Sequence, residues 1–405
     1  MHHARMFLLF SYSLTLLFFS VRVCLLTPVL DVFKGGNHLP LLAALPEVDF
    51  TIITGRMKPE HPDLPGNMCI EALHSRVSSY YYGCADYLFA RALLKRHPAD
   101  DPFWKSFDVI HINQTMGPSL LALRETGVPL LFFVHHPVSV DLAVALEESS
   151  FLKGLHWRLQ YFLLLRWQKR FCRELPHIAT VSRTAADRIA TDYGCDGAKI
   201  ALVPNGVDET RFFPGDPMST DFNVIAIGAF IHPRKGFRYL LDAYRLLGER
   251  GLTIADVGRR SAEQQAVLRS IPNVRTFGTV PQEELVHLMR RSAVLLSTSL
   301  YEGFGLSLIE ALACGRPAFA FDAGAVREVL SPIDAGLVVP LRDTAELARR
   351  VLRFLERTPA DRERAGAAYR EAVTSQYPLT AAAEALRTLY EWLAPSSSSS
   401  HTKLH

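Results

Sequence analysis

Glu302 and Glu310 stand eight positions apart, separated by Gly303-Phe304-Gly305-Leu306 and the start of a run with helical spacing, Leu306 to Cys314. Glycines at 303 and 305 let the backbone come close to a bulky ligand. A helix that begins there turns unpaired N–H groups and the positive end of its dipole toward whatever lies in front of it, which suits phosphate. Carboxylates accept hydrogen bonds from hydroxyl groups. An acid at each end of the segment, with phosphates on the amides between, describes a sugar nucleotide. The competing use of two nearby acids is a glycosidase pair, with carboxyls roughly 5 to 10 Å apart across a sugar. It fits poorly with a glycine turn between them.

Those residues need a frame. Apolar strand candidates alternate with helical patterns at Val21–Leu26, Asp49–Ile53, Val109–Ile112, Leu130–Val134, Ile178–Val181 and Ile200–Val203. A second series follows Phe212-Phe-Pro-Gly-Asp-Pro217, at Val224–Ile227, Thr253–Val257, Val274–Phe277, Val294–Ser297, Ala318–Phe321 and Leu337–Val339. Such alternation signals parallel sheets with helices on both faces. At 405 residues the chain also exceeds what one core usually holds. The expectation is an α/β protein of two Rossmann-like, doubly wound domains facing a central cleft, into which the C-terminal ends of both sets of strands open.

Composition narrows the classes. Basic and acidic residues nearly cancel, 44 against 41 for a net charge of +3, which gives no global reason to expect nucleic acid. The six cysteines are scattered, with no Cys-x-x-Cys pair and no His/Cys cluster of zinc spacing. Asp-x-Asp does not occur either. A reduced, cytoplasmic protein with no metal site is expected. Met6 to Val21 is apolar or hydroxylic throughout, shorter than the roughly 20 residues a membrane span needs. It reads as a start-site extension, an anchor or a signal peptide, the first being preferred because Val21 already opens a strand. The expected divisions are a leader at 1–20, an N-terminal acceptor domain at 21–214, a C-terminal nucleotide-sugar domain at 215–377, a helix at 378–393 packing back on the first domain, and a disordered tail at 394–405 with its run of five serines.

From Val21 to Leu393 the chain resembles the retaining glycosyltransferases of family 4, which have the GT-B fold. The elements that carry the resemblance are Lys34-Gly-Gly-Asn-His38, Phe133-Val-His-His-Pro137, Val181-Ser182, Val203-Pro-Asn-Gly-Val-Asp208, Arg234-Lys-Gly236, Phe277-Gly-Thr-Val-Pro281 and the Glu302/Glu310 segment. The resemblance implies a metal-independent hexosyltransferase that moves a hexose from a UDP-, GDP- or ADP-sugar to an acceptor hydroxyl, with no other cofactor. It places Glu310 on the ribose hydroxyls, Glu302 beside the transferred sugar, His135 over the donor sugar, and Lys235 on the diphosphate. Gly303, Phe304, Gly305 and Leu306 would line the phosphates, with Gly35 and Gly36 closing the other side. One departure matters. The family's arginine in Gly-Arg-Leu falls on Ala229 or Phe230 of Gly228-Ala-Phe-Ile-His-Pro-Arg-Lys235. Either Arg234 reaches the diphosphate instead, or a phosphate clamp is missing and turnover is weak. Asn205 and Asp208 read as turn-forming residues.

Phe151 to Arg173 mixes Trp157, Tyr161, Phe162, Trp167 and Phe171 with six Lys and Arg residues. The preferred expectation is an amphipathic helix with its aromatics in the core and basic stems reaching outward. The alternative is a helix that lies on an anionic membrane and brings the protein to a lipid-linked or cell-envelope acceptor at the inner face of the plasma membrane. Two other functions stay open: a catalytically degraded scaffold that binds a partner or membrane, and a sugar-nucleotide epimerase or phosphorylase of the same fold.

Overall fold

The computed structural model describes residues 20–31, 39–58, 64–73, 83–215 and 220–394. The expected leader up to residue 19, Gly35, Gly36, residues 216–219 of the expected linker and the expected tail from 395 lie outside the described residues.

The N-terminal half contains β1 (Val21–Thr27), β2 (Leu30–Asp31), β3 (Val48–Thr54), β4 (Met57–Lys58), β5 (Met68–Ala72), β6 (Val109–Asn113), β7 (Leu130–Val134), β8 (His177–Thr180) and β9 (Ile200–Leu202). The C-terminal half contains β10 (Phe222–Ile227), β11 (Ile254–Val257), β12 (Val274–Gly278), β13 (Ser292–Ser297), β14 (Ala318–Phe321) and β15 (Val338–Val339). Seven strands form one sheet in the order β5-β3-β1-β6-β7-β8-β9, and six form another in the order β12-β11-β10-β13-β14-β15. All pairings within them are parallel. Strand order reverses between β1 and β6 in the first sheet and between β10 and β13 in the second, where doubly wound sheets open a crevice at their C-terminal ends. The two-domain, doubly wound expectation is borne out.

The physical reason is visible in the strands. Val-Ile-His-Ile-Asn of β6 and Leu-Leu-Phe-Phe-Val of β7 are buried at every position, as continuous runs must be when helices cover both faces. The twelve strand candidates are all strands. Sequence periodicity passes over β5, an edge strand of Met-Cys-Ile-Glu-Ala in which only Met68 is buried.

The chain crosses between the halves twice, and the crossings touch. Val207 N–H donates to Tyr377 O at 2.9 Å and Leu379 N–H donates to Val207 O at 3.1 Å. At Gly206 an added Cβ would sit 2.6 Å from Leu379 Cα and from Pro378 O, so only glycine permits this approach. The helix Leu379–Leu393 then lies on the first sheet, where Tyr390 Oη and His111 Nδ1 are 2.6 Å apart and Tyr390 meets Phe50 edge-on.

The helix Phe151–Glu174 turns Tyr161, Leu164, Gln168 and Phe171 inward. Its outer side is apolar and open: Phe151 is 87%, Leu152 78%, Leu159 60% and Phe162 56% exposed. On a helical wheel these four, with Leu155 and Leu163, share an arc of about 120°. Arg166, Lys169, Arg170 and Arg173 continue along the same arc. The expectation of aromatics in the core holds for Tyr161 and Phe171, is met in part by the half-buried Trp157 and Trp167, and is corrected for Phe162. Among the described residues no helix is long and apolar enough to cross a membrane.

Candidate functional site

The C-terminal ends of β6 and β7 set the first wall. His135 follows β7 directly; its backbone N–H donates to Gln114 Oε1 at 2.7 Å, and its ring Nε2 lies 2.8 Å from Asn113 Oδ1. A carbonyl oxygen only accepts, so that ring nitrogen carries the proton. His136 points elsewhere. Its Nε2 lies 2.9 Å from Oδ2 of Asp141, on the helix Val138–Glu147 that Pro137 opens.

The second wall is a one-turn 3₁₀ helix, Pro233–Lys235, after β10. His232 caps it, with Nδ1 accepting from Arg234 N–H at 3.1 Å. Leu300 N–H donates to Arg234 O at 2.7 Å, tying the turn to the loop that leaves β13. Gly236 closes it at φ 67°, where a Cβ would sit 2.2 Å from Thr298 O. Arg234 and Lys235 thereby face Glu302.

The charges then meet, at Glu302 within the C-terminal domain and at Asp141 across the domain boundary. Lys235 Nζ is 2.6 Å from Glu302 Oε1, and Arg234 Nη1 is 3.8 Å from Glu302 Oε2. Arg234 also donates to Tyr301 O at 2.9 Å, and its Nε is 2.8 Å from Asp141 Oδ1. Burial raises the Glu302 carboxyl, but Lys235 and Arg234 outweigh it and hold it at about 2. Asp141 is likewise pulled well below the carboxylate range, its burial outweighed by His136 and Arg234. Burial lowers Lys235 against the pull of Glu302. Burial also brings His232 down to about 4, so its imidazole is neutral near pH 7.

Gly303 sits at a close approach of the two domains. An added Cβ would lie 2.3 Å from His135 O, and Ser182 Oγ donates to Gly303 O at 2.7 Å. The sequence reading assigns this glycine to close approach of a ligand; the close approach seen is to the facing backbone of His135. Gly305, at φ 97°, opens the helix Leu306–Ala313 without a side-chain cap; Leu308 N–H donates to Gly305 O at 2.9 Å, so the amides that could turn to a ligand are those of Leu306 and Ser307. Phe304 turns into the core, edge-on to Tyr377 at 5.4 Å, so only its backbone faces the site. One turn along that helix, Glu310 and Leu306 line a separate pocket with Leu41, Asn205, Arg211 and Gln282. Burial pushes the Glu310 carboxyl up to about 7 against the pull of Arg211.

At the family-arginine position Phe230 is buried, and Arg260 lies over its ring at 4.3 Å while pairing with Asp256 at 2.6 Å. That cation is engaged through its two Nη atoms, by Asp256 and Gly228 O. Arg234 is engaged as well, by Asp141 and Tyr301. Asp208 Oδ1 accepts from Thr210 N–H at 3.0 Å and Arg211 N–H at 3.3 Å, shaping its turn. Sequence reading did not single out Asp141, His232, Arg211 or Gln282. Only His232 carried a signal, its place directly before Pro233-Arg234-Lys235.

Comparison with known proteins agrees with this architecture. A family model described as Glycosyltransferase Family 4 matches residues 42–211, and one described as Glycosyl transferases group 1 matches residues 221–357. The chain is 34% identical over 283 residues to an MMP alpha-(1->4)-mannosyltransferase of Mycolicibacterium hassiacum, covering 64% of each, just under two thirds of that relative. It is 28% identical over 308 residues to a phosphatidyl-myo-inositol mannosyltransferase of Mycobacterium leprae, covering 72% of this chain and 75% of the relative. To a D-inositol 3-phosphate glycosyltransferase of Frankia alni it is 34% identical over 306 residues, covering 69% and 72%. Among solved structures, sucrose-phosphate synthase from Thermosynechococcus elongatus superposes with a TM-score of 0.75 at 21% identity, over 92% of this chain and 99% of that one. Anabaena HepE in complex with UDP-glucose gives 0.64 at 15% identity, over 91% and 99%. The chain belongs to glycosyltransferase family 4, within the group 1 glycosyl transferases, and has the GT-B fold.

Proposed function

We propose that this protein is a retaining hexosyltransferase that takes its sugar from a nucleotide diphosphate and passes it to a hydroxyl of a lipid-linked or cell-envelope acceptor. The observation that carries the reading is the meeting of Lys235, Glu302 and the uncapped start of the Leu306–Ala313 helix at the C-terminal ends of β10 and β13, opposite His135. A diphosphate arriving at Lys235 competes with Glu302 for the ammonium, which turns that carboxylate over to sugar hydroxyls. Positive charge for the leaving group is thus on the protein itself, in Lys235 and the helix amides, and so metal independence is part of the proposal. In the reaction the bond from the anomeric carbon to the phosphate oxygen breaks. The acceptor oxygen bonds to that carbon from the same face, and its proton passes to the leaving diphosphate. His135, with its Nε2–H directed to Asn113, orients the donor sugar; Glu310 holds the ribose.

The donor is a UDP-, GDP- or ADP-sugar. Support for a nucleotide sugar comes from the UDP-glucose complex of HepE, and for a mannosyl or inositol-type substrate from the names of the curated relatives. The exposed apolar arc of the Phe151–Glu174 helix, continued by four basic residues, supports peripheral contact with an anionic membrane surface from the cytoplasmic side. Turnover of each sugar nucleotide with a lipid extract, followed by NMR of the anomeric carbon, tests the reading. Transfer with retained configuration that survives EDTA is expected; inverted product, or no transfer from any donor, overturns it. An inert scaffold is favoured by one observation, the replacement of the family arginine by Ala229 and Phe230, and it would consume no donor.

A further inference from the structure

We infer that His232 and Tyr161 are positioning residues for the donor diphosphate, fixing from the acceptor domain the turn that carries Arg234 and Lys235. This rests on the proposed function, since it deepens the role of that same turn. The turn has two ends. At its far end Gly236 fits under Thr298 O, and Thr298 Oγ1 donates to Lys235 O at 3.2 Å, all within the C-terminal domain. At its near end the side-chain cap is His232, whose Nδ1 accepts the Arg234 N–H.

An imidazole whose Nδ1 accepts must carry its proton on Nε2. Nε2 lies 2.7 Å from Tyr161 Oη, so the ring donates to the phenol oxygen and is fixed in one orientation. Tyr161 stands on the inner side of the Phe151–Glu174 helix and is buried. Trp157, one helical turn earlier, sets its ring 5.5 Å from that of His232. Two residues four apart share a helix face, so a single helix of the N-terminal domain grips the cap from two sides. The chain Tyr161 to His232 to Arg234 N–H therefore crosses the domain boundary and ends one residue before Lys235.

Each part has a separable variant. His232→Asn keeps a capping oxygen, since Asn is among the best N-caps, but is too short to reach Tyr161. Tyr161→Phe keeps the ring and removes the acceptor. His232→Ala loses both. Binding of UDP and GDP by calorimetry, with uridine and guanosine as probes that lack phosphate, reads the effect, and the melting temperature of each variant checks its folding.

The expected result is that Tyr161→Phe and His232→Asn each weaken the nucleoside diphosphate about fivefold, the size of one hydrogen bond. The double variant should be no weaker than either single one, because both break the same link. His232→Ala should weaken it about tenfold or more, with nucleoside binding unchanged in every variant. Wild-type affinity in the variants, additive losses, or equal losses for uridine and guanosine overturn the inference while leaving the proposed function standing. A wild-type protein that binds neither UDP nor GDP overturns both.

Discussion

Glu302 and Glu310 have similar sequence settings and opposite electrostatics. Glu302 is held ionised by Lys235, so its ion pair stabilises the fold above about pH 4.5 and that contribution is lost as pH falls toward about 2. Replacing Lys235 with Ala strands the partly buried Glu302 carboxylate. The variant should lose about 1 to 3 kcal/mol of stability in denaturant titration, most of it recovered when Glu302→Gln is added. Glu310 has the reverse sign. Its carboxyl is raised to about 7, so the folded state holds the proton more tightly than the unfolded chain, and stability declines as pH rises from about 4.5 through 7. Glu310→Gln should abolish that decline, worth about 3 kcal/mol. A carboxylate is what accepts ribose hydroxyls, so donor affinity should improve with pH up to about 7, by roughly tenfold per unit, and the Gln variant should be flat. Calorimetry from pH 5.5 to 8.5 checks it, and a pH-independent wild type would count against ribose contact by Glu310.

Elements place these groups by close backbone contact, and their faces carry further consequences. Gly303→Ala would drive a methyl into His135 O. Backbone stands on both sides, so the domains must separate, and donor turnover should fall by about a hundredfold, as for a misplaced reacting group, while each domain stays folded by circular dichroism. The Phe151–Glu174 helix makes a separate prediction. Its outer arc should bind phosphatidylglycerol vesicles in sedimentation, weaken as salt rises, and lose that binding in Leu159→Asp/Phe162→Asp without a change in melting temperature. Equal binding by the variant would show that the arc is not the docking face. Strand positions were legible because buried parallel strands are unbroken apolar runs, as in Leu130–Val134. The edge strand Met68–Ala72 was not, because it lacks such a run. The outer face of the long helix was also misjudged, since periodicity shows that a helix is two-sided but not which side meets the core.

At the scale of the whole molecule, the two sheets follow from alternation and length, and the glycine turn, Lys235 and His135 were singled out from local motifs. What sequence could not show was the pairing across the cleft. Asp141 with Arg234, Tyr161 with His232 and Ser182 with Gly303 join residues dozens to over a hundred positions apart, with no spacing rule to connect them. Those contacts engage Arg234, a candidate diphosphate ligand, with Asp141 of the other domain, while Lys235 pairs with Glu302 inside its own; the proposed phosphate grip is Lys235 with the start of the Leu306–Ala313 helix. The most direct measurement is the melting temperature of the wild type, Lys235→Ala and Glu310→Ala with UDP-, GDP- and ADP-sugars. One of the three donors should raise the wild-type value by about 5 °C at hundredfold excess over its dissociation constant, and neither variant should respond. Equal stabilisation of wild type and both variants would contradict a diphosphate held between Lys235 and the helix that carries Glu310.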